Sequence, residues 1–479
     1  MTAVDSRTVP SAPQVERPGR LVALLVGAAF VVILNETVMG VALPDLMTEF
    51  DVAATTAQWL TTAFLLTMAV VIPVSGWLLT RLPLRTVFVA AMSSFTLGTA
   101  IAAAAPVFSV LIAGRVVQAV GTALMMPLLM TTILNVVPAE RRGQMMGTVS
   151  IVISVAPAIG PTVSGLVLDR LSWRWIFLLV LPIAVAALAV GATWVRNVTE
   201  PRRTPLDVPS VVLSALAFGG LIYGLSSIGE SAAGHTPVAP WMPITVGALS
   251  LAAFVRRQLA LRERALLDLR AFATPAFSIA VALVSVSMMA LFGTLILLPI
   301  YLQDVLGRTT LETGLMLLPG GLVMGLLAPL VGRLFDRVGP RPLVAPGAAV
   351  ASVALWLMST VLDTGTAVST VIAVHVLLTV GLAFMFTPLM TSALGSLPAR
   401  LYSHGSAIVG TVQQVAGAAG TALFITVMTG VSTSAASGTP TIEALADGVH
   451  AAITWGAVVS SVAVVVALLV RRPRPVVVG

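Results

Sequence analysis

The sequence predicts an all-α polytopic membrane protein with fourteen transmembrane helices. Three observations predict it. Only 9% of the 479 residues are charged and 58% are hydrophobic, whereas a soluble domain carries about 25% charged residues. Apolar runs of about 20 residues recur from end to end, each long enough to cross the hydrocarbon core as a helix. The alternating ten-residue segments of a membrane β-barrel are absent.

The runs place spans at 21–43, 57–79, 86–105, 108–134, 144–168, 173–194, 208–229, 239–256, 275–298, 311–334, 342–362, 367–391, 404–430 and 448–470. Residues 1–20 are polar with three prolines and read as a cytoplasmic tail. They lack the short apolar core of a cleaved signal peptide. Residues 471–479 form a second tail.

Arginine sets the expected orientation. All 26 basic residues are arginine, and 22 of them fall in the tails and in the loops on one side of this layout. Arg170, Arg174 and Arg308 fall on the other side, where the loops are acidic. By the positive-inside rule the richer side is the cytoplasm, with both termini there. The net charge of +7 is then a topology signal rather than a nucleic-acid footprint. Two charged side chains remain deep inside spans, Glu36 in the first and Arg115 in the fourth.

The chain repeats itself. At an offset of 256, Pro73, Gly76, Leu78, Arg81 and Arg85 match Pro329, Gly332, Leu334, Arg337 and Arg341. A looser match at 260 to 261 relates residues 121–140 to 381–400. Two duplicated six-helix halves are a common transporter plan. The halves are then 21–195 and 271–470, and a linker at 196–270 carries two inserted spans.

Several classes are excluded or weakened. With no cysteine there is no disulfide framework and no thiolate metal site. Without lysine there is no Gly-x4-Gly-Lys-Ser/Thr nucleotide loop, so an ion gradient is expected in place of ATP. The four histidines (235, 375, 404, 450) are scattered and no span holds paired carboxylates. An enzyme, a metal site and a cofactor are therefore not expected. A sensor or scaffold would carry a large soluble domain, and the layout leaves no room for one.

The motifs narrow the class. The loop "GRLFDRVGPR" holds Gly332, Asp336, Arg337, Gly339 and Arg341. It resembles the signature loop of the major facilitator superfamily, Gly-x-x-x-Asp-Arg-x-Gly-x-Arg. The first-half copy keeps Gly76, Arg81 and Arg85, with Thr80 in place of Asp and Pro83 in place of Gly. These loops serve the conformational change or act as topology signals. In span 4, "GRVVQAVG" resembles the family's intramembrane arginine motif through Arg115, Gln118 and Gly121. Such an arginine faces the protein interior or water and needs acceptors; it either couples protons or braces a neighbouring helix. In span 5, Gly160, Pro161 and Gly165 resemble the antiporter motif; the other reading is a small-residue packing face.

The stretch "LNETVMGVALP" (34–44) resembles the first-helix motif of the 14-helix drug:proton antiporters, L-D-x-T-x-x-N-V-A-L-P. Asn35 stands where the family keeps aspartate, and the acid sits one place later at Glu36. The Asn-Glu-Thr form is similar to that of lincomycin-type exporters. The resemblance runs from about residue 20 to 470. It implies a proton-coupled exporter of drug-like, amphipathic, often cationic compounds, working as a monomer in the bacterial inner membrane. The alternative is a dedicated exporter of one metabolite, lipid or antibiotic.

Glu36 lies roughly 12 Å from the outer end of its helix at 1.5 Å per residue, and Arg115 at a similar depth. A low-dielectric surrounding favours a neutral carboxyl, whereas a nearby guanidinium favours the ionised one. A proton carrier needs both environments in turn. Three readings stand for Glu36: proton carrier, direct ligand for a cationic compound, or hydrogen-bond partner of a neighbouring helix. Asn35, Gln118, Met125, Met126, Met289, Phe384, Gln413 and Gln414 are candidates for the substrate cavity, since flexible apolar and scattered polar groups suit a permissive pocket. His375 either titrates or is held by a structural hydrogen bond.

Overall fold

A computed structural model describes residues 18–52, 54–195, 197, 205–232, 238–434 and 441–470. Most of both tails, Arg196, Arg202, Arg203, His235 and the side chain of Pro161 lie outside the described residues. Among those residues the secondary structure is helical, with fourteen helices long and apolar enough to cross a membrane. They are α1 (Pro18–Phe50), α2 (Trp59–Arg81), α3 (Leu84–Ala103), α4 (Phe108–Val136), α5 (Arg142–Leu168), α6 (Arg174–Trp194) and α7 (Val208–Ala232). The remainder are α8 (Trp241–Leu261), α9 (Pro275–Ile300), α10 (Thr310–Val338), α11 (Arg341–Val361), α12 (Val368–Gly395), α13 (Tyr402–Ser434) and α14 (Ile442–Ala467).

Each expected span has its helix, and several helices overrun it. α1 continues past residue 43 to Phe50 because its extension still has an apolar side. Leu46 is buried there, and the Phe50 ring packs 5.5 Å from Trp173 and 5.9 Å from Phe108. Hydropathy reads the lipid slab, whereas the helix follows its buried face. α10 starts at a capping box, in which Thr309 and Glu312 each accept the other's backbone N–H. It stops at Gly339, whose φ of 81° lies in the left-handed region that suits glycine. In the first copy Pro83 replaces that glycine, and the chain leaves the helix through an extended Leu82 instead.

The two halves pack alike. α1 on α5, α3 on α4, α2 on α4, α3 on α6 and α1 on α6 recur as α9 on α13, α11 on α12, α10 on α12, α11 on α14 and α9 on α14. Between halves, α5 packs on α10 and α2 on α13, and α5–α10 is the most extensive contact in the molecule. A Cβ added to Gly332 would lie 2.2 Å from the Gly143 carbonyl oxygen, and one on Gly147 would lie 2.4 Å from that of Ala328. Backbones therefore meet without side chains between them. The repeat mate of Gly332, Gly76, packs more loosely on Ser403, His404 and Ala407 of α13, at 3.2 to 3.4 Å from an added Cβ.

The inserted hairpin α7–α8 breaks the symmetry. α7 packs against both α2 and α13. Leu66 of α2 lies over Gly219, and Trp59 stacks on Tyr223 with ring centroids 6.3 Å apart. Leu322, Leu326, Leu330 and Leu334 of α10 face outward, Leu326 being 73% exposed. Their mates on α2 at the 256 offset, Leu66, Val70, Val74 and Leu78, are partly covered.

A polar clamp holds the hairpin. Arg257 of α8 donates to both oxygens of Asp207, each at 2.7 Å, and Asp207 accepts from Ser210 at the start of α7. Gln258 donates to Ser210 at 2.7 Å and accepts from the Leu267 N–H at 3.2 Å, which ties the hairpin to the segment leading into α9. The Arg257 and Ser210 hydrogen bonds hold the Asp207 carboxyl down at about 2, below the ordinary ~3.9. A carboxyl shifted this way stabilises the fold above its unfolded value and loses that contribution as pH falls through the folded one. Acid titration is therefore expected to leave the hairpin intact down to about pH 4 and release it toward pH 2. Asp207→Asn is expected to lower the thermal unfolding midpoint at neutral pH and to flatten that acid transition, both read by tryptophan fluorescence.

Candidate functional site between the two halves

Arg115 sits on α4, a helix enclosed by α1, α2, α3, α5 and α13. α3 crosses α4 almost backbone to backbone: a Cβ on Gly121 would lie 2.3 Å from the Ala91 carbonyl oxygen, and one on Gly98 2.4 Å from the Gln118 nitrogen. Arg115, beside this crossing, is 1% exposed. Its guanidinium donates from Nη1 to Gln118 Oε1 at 2.7 Å and to Asn35 Oδ1 at 3.4 Å. Its Cζ lies 4.0 Å from the centre of the Phe64 ring, a cation–π contact in a dry site. Gln118 in turn donates to Thr99 Oγ1 at 2.8 Å. One cation thus binds α1, α2 and α4 directly, and α3 through Gln118. The shell is incomplete, since Arg115 Nε and Asn35 Nδ2 are buried without a partner.

Glu36 points elsewhere. Asn35 faces α4, where it meets Arg115. Thr37 faces α5, its hydroxyl 3.5 Å from the Ala156 carbonyl oxygen and against Gly160. Val38 and Met39 join an apolar cluster with Ile176 and Phe177 of α6. At about 100° per residue, Glu36 falls between α4 and α5, on the side of α1 away from α6. α4 and α5 are also the helices of this half that meet α13 and α12 of the other half. Among the described residues Glu36 makes no hydrogen bond and no ion pair, and it is half-buried. The charge that acts on it is Arg115.

The other candidates divide by accessibility. Gln118 and Met125 are fully buried, whereas Met126, Met289, Phe384, Gln413 and Gln414 are half-buried. Gln413 lies two turns beyond Ser406, which accepts from Thr131 of α4 at 3.4 Å. Gln414 lies one turn beyond Gly410, which packs on Ile72 of α2. The next turns, at Gly417 and Gly420, meet Phe292 and Met289 of α9 in the same half, and Gln413 Nε2 is buried without a partner. Phe384 lies against Gly347 of α11, within its own half.

The halves are joined by hydrogen bonds near the arginine-rich end. Asp336 of α10 accepts the Gly143 N–H at 2.8 Å and the Gln144 N–H at 2.9 Å. It thereby caps the free donors at the start of α5, where a negative charge is favoured. Thr80, in the first copy, donates to the Trp77 carbonyl of its own helix at 2.8 Å. Ser150 and Thr387 share a hydrogen bond of 2.8 Å, and Arg142 donates to the Tyr402 hydroxyl at 3.2 Å. Arg85, Arg337 and Arg341 are exposed, as is Arg81 beside the Trp77 ring. Gly165 has open space around it. No group of three or more potential metal ligands occurs among the described residues.

Comparison with known proteins places this arrangement. The family model described as Major Facilitator Superfamily matches residues 25–421. The chain belongs to the major facilitator superfamily. Among curated members, a lincomycin resistance protein LmrB of Listeria monocytogenes is 42% identical over 464 residues, 96% of this chain and 98% of that one. The LmrB of Bacillus subtilis is 40% identical over 454 residues, 93% and 94% of the two chains. A multidrug resistance protein B homolog of Mycobacterium tuberculosis is 30% identical over 411 residues, 82% and 73% of the two. Two solved superfamily structures share the fold. The human organic anion transporter MFSD10 has TM-score 0.68, 13% identity, and coverage of 94% of this chain and 99% of that chain. The proton:xylose symporter XylE has TM-score 0.65, 15% identity, and coverage of 95% and 96%. The superfamily is one of transporters, and this member is a multi-pass membrane protein.

Sequence reasoning located Arg115, Asn35 and Gln118 but missed Phe64 and Thr99. Their signal was depth alone: each lies within an apolar run without a motif of its own. Arg115→Ala would strand the acceptors of Asn35 and Gln118. At membrane-protein bond strengths plus a lost cation–π contact, the expected cost is on the order of 1–3 kcal/mol, measured by thermal unfolding in detergent. Asn35→Leu, which removes the long 3.4 Å bond alone, should cost less.

Proposed function

We propose that this chain is a proton-driven exporter of amphipathic, often cationic compounds, working as a monomer in a bacterial cytoplasmic membrane with both termini inside. The observation that carries the reading is Glu36: a half-buried carboxyl that makes no hydrogen bond or ion pair among the described residues, on the face of α1 between Asn35 and Thr37, and acted on by Arg115. Relatives named for lincomycin and multidrug resistance support drug efflux.

The arginine-rich side is then the cytoplasmic side, and it is closed here by the Asp336 cap, the Ser150–Thr387 bond and the Arg142–Tyr402 contact. Opening that side means parting these groups while the far side closes, a rocking of one six-helix half on the other. In the outward-facing state Glu36 meets water and takes a proton as the compound leaves. The neutral carboxyl then passes through the closed form at lower desolvation cost than the ion. Facing inward it loses the proton as a cationic compound enters. Proton and compound compete for one carboxylate, which is what exchange requires. Met126 and Met289 supply deformable apolar surface, and Gln413 and Gln414 supply hydrogen bonds from α13.

Export of a single antibiotic class is the narrower reading, favoured by the lincomycin names of the relatives. Efflux assays in liposomes with lincomycin, ethidium and unrelated compounds separate the two. Glu36→Gln is expected to insert and fold, to bind compound, and to lose proton-driven efflux by at least about tenfold. Substrate-induced proton release from the purified protein is expected to fall with it. Unchanged efflux and proton release in that variant would sink the assignment.

A further inference from the structure

The repeat places His375 where the first half has Arg115. At an offset of 260, α4 and α12 share Ser109/Ser369, Ile112/Ile372, Ala113/Ala373, Val116/Val376, Gly121/Gly381 and Met125/Met385, and Arg115 falls on His375. The 256 offset that relates α2 to α10 pairs Phe64 with Gly320. The structure keeps both pairings. Arg115 lies over Phe64, and the His375 ring lies on Gly320, where a Cβ would come within 2.5 Å of Nε2 and Cδ2. Each half therefore carries one buried basic side chain at the same helix position, leaning on the same neighbouring helix.

The surroundings differ. Arg115 has Asn35 and Gln118 as acceptors, whereas the matching Leu378 of α12 is apolar. His375 is 6% exposed, and its Nε2 edge lies against Gly320 of α10. With the Nε2 edge on α10, Nδ1 is left buried and without a partner. No charged group acts on the ring. The helices packed on α12 are α5, α9, α10, α11 and α13. α9 has no charged residue, and the others carry theirs toward their ends: Arg142, Glu312, Arg333, Asp336, Arg337, Arg341 and His404. A proton on Nδ1 would thus have no acceptor in this closed form.

We propose that His375 is a second proton-binding side chain of the transport cycle, taking its proton on Nδ1 when water reaches it and giving it up before the site closes. This rests on the proton-driven reading above. The ring is linked to the moving parts through α10. The turn that holds His375 through Gly320 turns its other face, Gly321 and Gly325, onto Ala158 and Val155 of α5 in the opposite half. Separation of α5 from α10 is the event that admits water. Protonation forms an N–H bond at Nδ1 and makes imidazolium; release reverses it, and no other reagent takes part. With Glu36 alone, one proton exchanged for a monovalent cation moves no net charge. With His375 as well, each cycle carries one positive charge inward, so the membrane potential joins the driving force.

The test is ethidium export by the full-length protein in liposomes, with proton movement and voltage dependence both recorded. Wild type is expected to exchange more than one proton per ethidium and to speed up with an inside-negative potential. His375→Gln keeps a polar side chain against α10 but cannot titrate. It is expected to drop to about one proton per ethidium, to lose the voltage dependence, and to lose any limb of the pH profile near the histidine value of ~6.5. The same proton ratio and voltage response in His375→Gln overturns the inference and leaves the Glu36 reading standing. No proton movement in wild type overturns both. If His375→Gln does not fold, 15N-histidine spectra of the wild type with and without ethidium decide. Titration of the His375 ring between about pH 5 and 8 supports the inference, and its absence overturns it.

Discussion

A guanidinium that cannot reach water organises the N-terminal half. Arg115 is an arginine side chain at bilayer depth with no ion pair, so its charge has to be met by dipoles and a ring. Asn35 comes from α1, Phe64 from α2, and Gln118 from its own helix, braced by Thr99 of α3. Close crossing of α3 over α4 through Gly98, Gly114 and Gly121 holds these groups in place. The acid one residue beyond Asn35 is outside this shell but within its field. A carboxyl held near an uncompensated cation, yet not bonded to it, can change charge without dismantling the helix packing. A direct Glu36–Arg115 ion pair would instead lock both.

The contact between halves is built on a different physical basis. Glycines at 143, 147 and 332 bring α5 and α10 together at backbone distance, and Gly321 and Gly325 receive the side chains of Ala158 and Val155. Polar bonds then set which end is shut. Asp336 caps the first N–H groups of α5, and these donors turn to water when the cap leaves. Closure thus has specific bonds at the arginine-rich end and close glycine packing along the rest of the seam.

Much of this was legible in the sequence, for reasons that can be named. Apolar run length marked fourteen helices, and the 256 offset marked the duplication, because lipid thickness and tight turns act on short stretches of chain. The Asp336 to Thr80 difference was visible as a substitution. Its meaning was not, since the donors it caps lie 192 and 193 residues away. Likewise the motif carried the offset of Glu36 from the usual aspartate, while the direction of each side chain required the placement of α4, α5 and α6 around α1. Helix ends were displaced where an amphipathic extension outlasts the lipid, as in α1. Phe64 and Thr99 had no local signature, because one is an ordinary apolar residue and the other an ordinary hydroxyl until Arg115 and Gln118 stand beside them.

The covering of α2 by α7 has a consequence for how the two halves tolerate change. Val70 and Leu326 pair at the 256 offset, yet the first is partly covered and the second is 73% exposed. A change of size at Leu326 exchanges one lipid contact for another. The same change at Val70 is made within reach of protein packing, where each methylene is felt. The α7–α8 hairpin therefore gives the two paired surfaces different neighbours, a protein-facing flank on α2 and an outward one on α10. Drift is free on the second and restrained on the first, so the older symmetry should fade fastest on the side of the molecule that never acquired a neighbour.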